Sequence, residues 1–196
     1  MLWLILAIGL WGLIHSLLAS LSLKDFLRRT LGSGFMKFYR LLYNVFSAIS
    51  FGLILYLMLT LPDKNLYQVS SPWSYLLLAG QAICAFFLLV AVLQTDMLSF
   101  AGLRQLVEEE GTGKLLTNGL YRFVRHPLYT FSLLILWLSP TVTVNSFIVY
   151  FALTFYVLVG VFFEERKLLR EFGKEYANYR AVTPMLIPGF RLHGNK

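Results

Sequence analysis

The feature that most constrains this chain is a series of apolar runs, each long enough to cross a lipid bilayer. Residues 2–21, 41–61 and 73–94 carry no charged side chain apart from the titratable His15. A helix needs about 20 apolar residues to span a hydrocarbon core of roughly 30 Å. Only 14% of all residues are charged, against about 25% in soluble proteins. These runs predict an all-α, polytopic membrane protein.

The first run, residues 2–21, has two possible interpretations. A signal peptide would begin with a basic residue and have a shorter apolar core, whereas this run begins Met-Leu-Trp. We therefore interpret it as a transmembrane helix. His15 lies inside it, and an ionisable residue at membrane depth is a candidate functional residue. The structural alternative is an imidazole that is hydrogen-bonded to a neighbouring helix.

A short hairpin follows in the second half of the chain. Residues 128–139 are apolar, but as a helix they measure only about 18 Å. Pro140 and Asn145 bracket a turn, and residues 146–163 return. The pattern predicts about five transmembrane helices, with a short fourth helix paired to the fifth. Within the third run, we interpret Gln81 as a contact between helices and Cys84 as a small core residue.

The connectors indicate the topology. Residues 24–40 hold five lysines and arginines, and Gly32 and Gly34 divide them into two short amphipathic pieces. The three later connectors hold one, four and no lysines or arginines, in chain order, and the tail holds seven. By the positive-inside rule the N-terminus is outside, and the C-terminal helical tail is cytoplasmic. The net charge of +7 then reflects topology and contact with anionic lipid rather than nucleic acid. Glu108–Glu110 we interpret as a solvated face.

Two polar clusters flank the hairpin and must meet at one membrane surface if it folds back on itself. The first contains Arg125, His126 and Tyr129, which combine a cation, a titratable ring and a phenol. The second begins with Glu164 and Glu165, which suit a ligand ammonium or sulfonium group. A helix starting at the proline after His126 would offer free N–H groups to a ligand carboxylate. The alternative is an interfacial belt of arginine and tyrosine at the lipid headgroups.

The tail continues the helical pattern beyond the second cluster. Leu168, Leu169 and Phe172 recur at helical spacing, which extends the fifth helix to Gly173. Tyr176 and Tyr179 lie three residues apart, on one face of a further helix. Pro184 and Pro188 end any helix beyond it.

The two clusters together resemble a known catalytic region. The motifs Gly-x-Tyr-x3-Arg-His-Pro-x-Tyr (119–129) and Glu-Glu-x3-Leu-x2-Phe-Gly-x2-Tyr-x2-Tyr (164–179) resemble those of integral-membrane methyltransferases. That family contains isoprenylcysteine carboxyl methyltransferase, with the phospholipid N-methyltransferases as relatives. The resemblance covers residues 114–190. The N-terminal half, with His-Ser-Leu-Leu-Ala-Ser (15–20) and Tyr-Arg-Leu-Leu-Tyr-Asn (39–44), looks like the NnrU-type and methanethiol S-methyltransferase-like branch.

The resemblance implies an S-adenosylmethionine-dependent methyltransferase that acts on a small or lipophilic thiol, carboxylate or amine at the cytoplasmic membrane face. It implies no metal site. Residues 1–196 would form one integral-membrane domain, with a three-helix scaffold (1–94) and a cofactor-binding catalytic region (95–196). The partners implied are the methyl acceptor and membrane lipid, with no nucleic acid and no obligate protein partner. The cofactor site it implies comprises Leu115, Leu116, Tyr121, His126, Pro127, Tyr129, Glu164 and Glu165, with His126, Arg125 and Tyr129 as catalytic candidates.

One position departs from the resemblance, and two other functions stay open. The prenylcysteine enzymes place a substrate-binding arginine four residues before the paired glutamates, where this chain has Gly160. A smaller acceptor, or one of different charge, is therefore expected. The alternatives are an NADPH-dependent reductase of the sterol reductase type and a non-enzymatic accessory membrane protein of the NnrU kind.

Overall fold

A computed structural model describes residues 2–95 and 114–189 of the chain, without the side chain of residue 33. The interpretation of Glu108–Glu110 as a solvated face lies outside these residues. The described elements, in chain order, are helices α1 (Leu2–Ala19) and α2 (Leu21–Thr60), strand β1 (Asn65–Gln68), helix α3 (Trp73–Gln94), a 3₁₀ turn (Gly119–Arg122), helix α4 (Pro127–Trp137), strand β2 (Thr141–Thr143), and helices α5 (Val144–Phe172) and α6 (Lys174–Val182).

Four of these helices are long and apolar enough to cross a membrane: α1, residues Gly34–Thr60 of α2, α3 and α5. Helix α4 is apolar but has only 11 residues. The predicted all-α, multi-pass membrane fold is confirmed, including the short helix before the last span. The domain division at residue 94 stays a prediction.

The second span begins earlier than predicted, at Gly34 rather than at residue 41. The basic connector is itself helical and joins that span across one kink, where Gly32 has φ 81°. Glycine adopts this left-handed conformation without a steric penalty. Lys37 and Arg40 at the start of the span are exposed, and long cationic side chains can reach the interface from such positions.

The chain divides into two compact units, and the described part of the first comprises residues 2–65 and 143–149. Polar side chains join α1 to α2 within it. Tyr39 donates a hydrogen bond to the carbonyl of Leu18 at 2.6 Å. His15 Nε2 lies 2.6 Å from the Tyr43 hydroxyl, and its Nδ1 lies 3.1 Å from Ser47 Oγ. The structural interpretation of His15, a hydrogen bond to a neighbouring helix, is therefore confirmed.

Helix ends in this unit are capped by residues distant in sequence. The buried Asn145 side chain donates to the carbonyls of Leu61 and Pro62, at 3.2 and 3.4 Å, beyond the end of α2. Asp63 Oδ1 in turn accepts the backbone N–H of Asn145, in the first turn of α5, at 3.0 Å. Unpaired backbone groups at helix ends need such partners. One polar turn therefore satisfies the end of α2 and the start of α5.

The described part of the second unit comprises residues 66–95, 114–142 and 150–189. Gln81 donates to the carbonyl of Ile135 at 2.7 Å, which confirms it as a contact between helices. Trp137 donates to Thr154 Oγ1 at 3.0 Å, so α4 folds back against α5 as predicted. Cys84 is buried, as expected for a core residue. Strands β1 and β2, which were not predicted, pair at the turn of the hairpin.

The C-terminal elements follow the sequence closely. Helix α5 continues past the membrane segment to Phe172, and Gly173 has φ 53°. Helix α6 then begins and ends before Pro184, with Tyr176 and Tyr179 both buried. The predicted extension of the fifth helix, its stop at Gly173 and the shared face of the two tyrosines are confirmed. This arrangement returns the chain to the start of α4.

We expect Asp63→Ala to destabilise the first unit by about 1 kcal/mol, the usual cost of losing a helix cap. Burial raises the pKa of Asp63, but hydrogen bonds from Thr143, Asn145 and Lys64 outweigh burial and lower the pKa below its ordinary value of 3.8. The stabilisation is thus complete above that value and is lost as the pH falls through the lowered pKa. Thermal unfolding in detergent at pH 7 and pH 3 tests both statements. The exposed Asp25→Ala is the matched control, and equal melting temperatures for the two variants at pH 7 would contradict the cap.

Candidate active site

A buried carboxylate lies at the centre of the second unit. Glu165, on α5, is 6% exposed. Its Oε1 accepts from Arg125 Nε at 2.6 Å, from the Tyr176 hydroxyl at 3.1 Å and from His126 Nε2 at 3.2 Å. Its Oε2 lies 3.4 Å from Arg180 Nε. We call these five residues the Glu165 cluster. Because a buried charge is costly without partners, the cluster explains how a glutamate is tolerated here.

Arg125 connects this carboxylate to the end of α6. Besides Glu165, its guanidinium donates from Nη1 to the carbonyls of Arg180 and Thr183. The planar arginine fork suits several acceptors held at fixed angles. Arg125 therefore holds the tail onto the start of α4. Its Nε and Nη1 atoms are engaged by the protein itself. Its predicted catalytic role stays a prediction.

The segment after α6 is attached by its backbone. The N–H groups of Arg125 and His126 donate to the carbonyls of Pro184 and Met185, at 2.9 and 3.2 Å. Thr130 Oγ1 donates to the carbonyl of Leu186 at 2.8 Å. Residues 183–186, which we call the tail segment, therefore run beside the residues that lead into α4.

The 3₁₀ turn that carries Tyr121 is held by hydrogen bonds to α3 and to α6. Gln94, at the end of α3, accepts the backbone N–H of Leu120 at 3.0 Å. Gly119 has φ 58°, and a Cβ there would lie 2.3 Å from the Gln94 side chain. The Tyr179 hydroxyl donates to the carbonyl of Tyr121. Glycine adopts this left-handed conformation without a steric penalty, and a larger residue would also displace the Gln94 side chain, which gives a physical reason for the first residue of the motif.

His126 is oriented by the Glu165 cluster. Its side chain is 5% exposed, and it occupies the N-cap position of α4 without a side-chain capping bond, with Pro127 in the first helical position. Since an ionised Glu165 can only accept hydrogen bonds, the Nε2 atom of His126 carries the proton in that contact. The Nδ1 atom of a neutral ring is then an acceptor, and it lies 3.8 Å from Glu164 Oε2. Nδ1 of a neutral His126 therefore makes no hydrogen bond to Glu164, and it stays available to accept a proton.

Glu164 differs from its neighbour in exposure and in pairing. Its side chain is 42% exposed, against 8% for Glu165. Within residues 2–95 and 114–189, its neighbour that could form an ion pair is His126, at 3.8 Å, and that ring is charged only when it is protonated. Two arginines neutralise Glu165, while Glu164 has no arginine or lysine partner among the described residues. Glu164 is therefore the carboxylate that can take up a cationic group from a ligand.

The tyrosines around the two glutamates are neutral phenols. Burial, and then the negative charge of Glu164, raise the pKa of Tyr121 to about 12. Burial raises the pKa of Tyr179 to about 12 as well, although Arg125 partly offsets the effect. Burial and Glu165 also raise the pKa of Tyr176. The rings remain uncharged at any physiological pH, and the potential at Tyr121 favours a cation.

The structure brings together most of the residues singled out in the sequence. His126 and Glu164 lie at one site, and the ring of Tyr129 stacks on that of His126, with centroids 5.8 Å apart. Leu115 and Leu116 are half-buried in the extended segment before the 3₁₀ turn, and Pro127 is buried. Their roles in binding or catalysis stay predictions.

Sequence reasoning missed the residues that hold the site together. No sequence pattern indicated Arg180. The carbonyl groups of the tail segment could not be identified either, because every residue offers a backbone acceptor. Tyr176 was noticed for its spacing from Tyr179, but its partner Glu165 could not be identified from that spacing.

Comparison with known proteins places the whole described chain in one family. The NnrU protein family matches residues 3–189. The chain belongs to the NnrU family. This membership agrees with the resemblance of the N-terminal half. No solved structure matches this NnrU family member.

Named relatives of this NnrU family protein share part of its length. A methanethiol S-methyltransferase from Crocosphaera subtropica is 38% identical over 105 residues, which cover 51% of this chain and 41% of that protein. Methanethiol S-methyltransferase 2 from Bradyrhizobium diazoefficiens is 46% identical over 69 residues, or 35% and 27% of the two chains. The enzyme from Pseudomonas deceptionensis is 38% identical over 79 residues, or 40% and 30%. The chain therefore spans less than half the length of these relatives.

We expect Glu165→Ala to destabilise the second unit by about 3–5 kcal/mol, because it leaves the buried Arg125 guanidinium without its counter-ion. Trypsin should then cut α6 at Lys174 and Arg180 much faster than in the wild type. Glu164→Ala should change stability by less than about 0.5 kcal/mol, as is usual for exposed positions. Glu171→Ala, an exposed glutamate on the same helix, is the control. Equal tryptic rates for Glu165→Ala and Glu164→Ala would show that the tail does not depend on the Glu165 cluster.

Proposed function

We propose that this protein is an S-adenosylmethionine-dependent membrane methyltransferase that acts on a small thiol at the cytoplasmic membrane face. The observation that carries the proposal is that Glu164 Oε2 and His126 Nδ1 lie 3.8 Å apart, beside neutral aromatic rings. The names of the methanethiol S-methyltransferase relatives support the reaction class. The charge distribution of the connectors supports the cytoplasmic side.

The residues present fit the cofactor by their chemistry. S-adenosylmethionine carries an ammonium group, a sulfonium group and a flat adenine ring, and it supplies an electrophilic methyl group when bound. Glu164 would hold one of the cationic groups, because no lysine or arginine among the described residues neutralises it. Tyr121 offers a half-buried ring for stacking on a planar or cationic group. Leu115, Leu116 and Pro127 would supply the apolar side of the site.

His126 is suited to act as the general base. Its Nε2–H donates to Glu165, so its Nδ1 can accept the proton of a thiol. The S–H bond breaks, the proton moves to Nδ1, and the sulfur becomes a thiolate nucleophile. The imidazolium formed would lie between the carboxylates of Glu164 and Glu165, which stabilise its charge. Tyr129, stacked on the ring, would keep it in the plane that this transfer needs.

The electrostatics favour a neutral acceptor over a carboxylate. The guanidinium groups of Arg125 and Arg180 are engaged by Glu165 and by backbone carbonyls. At Gly160, where the prenylcysteine enzymes carry an arginine, a side chain would meet only open space. A carboxylate acceptor would thus approach Glu164 without a compensating cation from these positions. A thiol can arrive uncharged and lose its proton at the site.

Isothermal titration of the purified full chain with S-adenosylmethionine and with NADPH tests the cofactor. We expect binding of the first alone, and a loss of at least tenfold in affinity for Glu164→Gln, because the isosteric change removes the anion. Glu171→Gln, which removes an exposed charge from the same helix, should bind as the wild type does. Binding of NADPH would favour a reductase, and binding of neither ligand would favour an accessory membrane protein.

Transfer of a tritiated methyl group to a panel of thiols, amines and prenylcysteine tests the acceptor and the base. We expect transfer to methanethiol or ethanethiol, and a fall of about 10²–10⁴-fold in rate for His126→Gln. Glutamine retains a donor for Glu165, so the fold should survive. The loss should shrink at high pH, where the thiol ionises without help. A loss that is independent of pH would argue against the role as general base.

A further inference from the structure

Residues of α1 and α2 form a groove in the first unit, and none of them belongs to the Glu165 cluster. It has a volume of about 370 Å³, which falls in the range of ligand pockets of roughly 300–1,000 Å³. Its walls are apolar, because the hydroxyl groups of Tyr39 and Tyr43 are engaged by Leu18 and His15. The groove therefore suits a hydrocarbon chain. Its lining residues are Ile14, Leu18, Tyr39, Leu42, Tyr43 and Phe46.

The groove lies in membrane-spanning helices, next to the basic connector. Leu18 is near the end of α1, and Tyr39 is near the start of the span Gly34–Thr60. The hydrogen bond between these two residues joins the points where the chain leaves the groove and returns to it. Residues 20–38 must therefore emerge at this end. An occupant of the groove would have its polar end beside them.

The connector that emerges at this end is strongly basic. Arg28, Arg29, Lys37 and Arg40 are exposed, and none forms an ion pair with a carboxylate within the described ranges. Asp25 is the single acidic residue between positions 20 and 40. Cations at a membrane surface attract anionic lipid headgroups.

We propose that this groove binds an acyl chain of one anionic phospholipid, whose phosphate is held by the basic side chains of the connector. A zwitterionic lipid fits the groove equally well but brings its own cation to the same arginines and lysines. The cations of the connector therefore favour an anionic headgroup over a zwitterionic one. The apolar groove favours a lipid over free inorganic phosphate. This site is independent of the proposed methyl transfer.

Native mass spectrometry of the full chain tests the proposal. The protein is purified in a mild detergent and incubated with equal amounts of dioleoylphosphatidylglycerol and dioleoylphosphatidylcholine. We expect one phosphatidylglycerol molecule to be retained, at least fivefold more often than phosphatidylcholine. Inorganic phosphate at millimolar concentration should not displace it. Equal retention of the two lipids, or displacement by phosphate, would overturn the proposal.

Variants separate the headgroup from the chain. Two double variants, R28Q/R29Q and K37Q/R40Q, should each lower the preference for phosphatidylglycerol by at least threefold, and a loss confined to one pair would place the phosphate at that pair. K167Q/K174Q, which removes two cations from the second unit, should keep the preference. Leu42→Trp, at an exposed position of the groove wall, should reduce retention of both lipids. Helicity and a single peak on size exclusion check that each variant is folded.

Two results would contradict the assignment of this site. One is an unchanged preference in both double variants, which would mean that the connector does not hold the phosphate. The other is unchanged retention in Leu42→Trp, which would mean that the acyl chain lies elsewhere.

Discussion

The candidate active site depends on the neutralisation of one buried carboxylate. Glu165 projects from α5 into a position where an isolated negative charge would be costly. Arg125, His126, Tyr176 and Arg180 satisfy it, and they come from the start of α4 and from α6. Backbone hydrogen bonds from Arg125 and His126 also hold the tail segment against the start of α4. A single requirement, to pair this charge, therefore brings three parts of the chain together.

This arrangement explains why two adjacent glutamates have different properties. Residues next to each other on a helix point about 100° apart, so Glu165 faces the cluster while Glu164 is partly exposed. The first is neutralised by protein cations, whereas the second has no lysine or arginine partner among the described residues. His126 contacts both, through opposite ring nitrogens. The division fits a site in which one acid positions the histidine and the other binds a ligand.

The sequence predicts the membrane helices well because their signal is long and repeated. The span Trp73–Gln94 and the stop at Gly173 are found where expected. The predicted start of the second span was wrong, because Lys37 and Arg40 interrupt the apolar pattern of a span that begins at Gly34. Strands β1 and β2 have only four and three residues, which is too short for an alternation of polar and apolar side chains to predict them. The contacts of Arg125 with tail carbonyls could not be predicted, since a backbone acceptor has no residue identity.

Ultraviolet cross-linking with tritiated S-adenosylmethionine would show whether the ligand lies at Tyr121 and Glu164, because it locates the ligand on the chain. The purified protein is irradiated with the labelled compound, with and without an excess of S-adenosylhomocysteine, and the labelled peptides are mapped. We expect competed label on peptides that contain Tyr121–Tyr129 or Glu164, and its loss in Glu164→Gln. Label that S-adenosylhomocysteine does not compete, or competed label confined to residues 2–65, would contradict it.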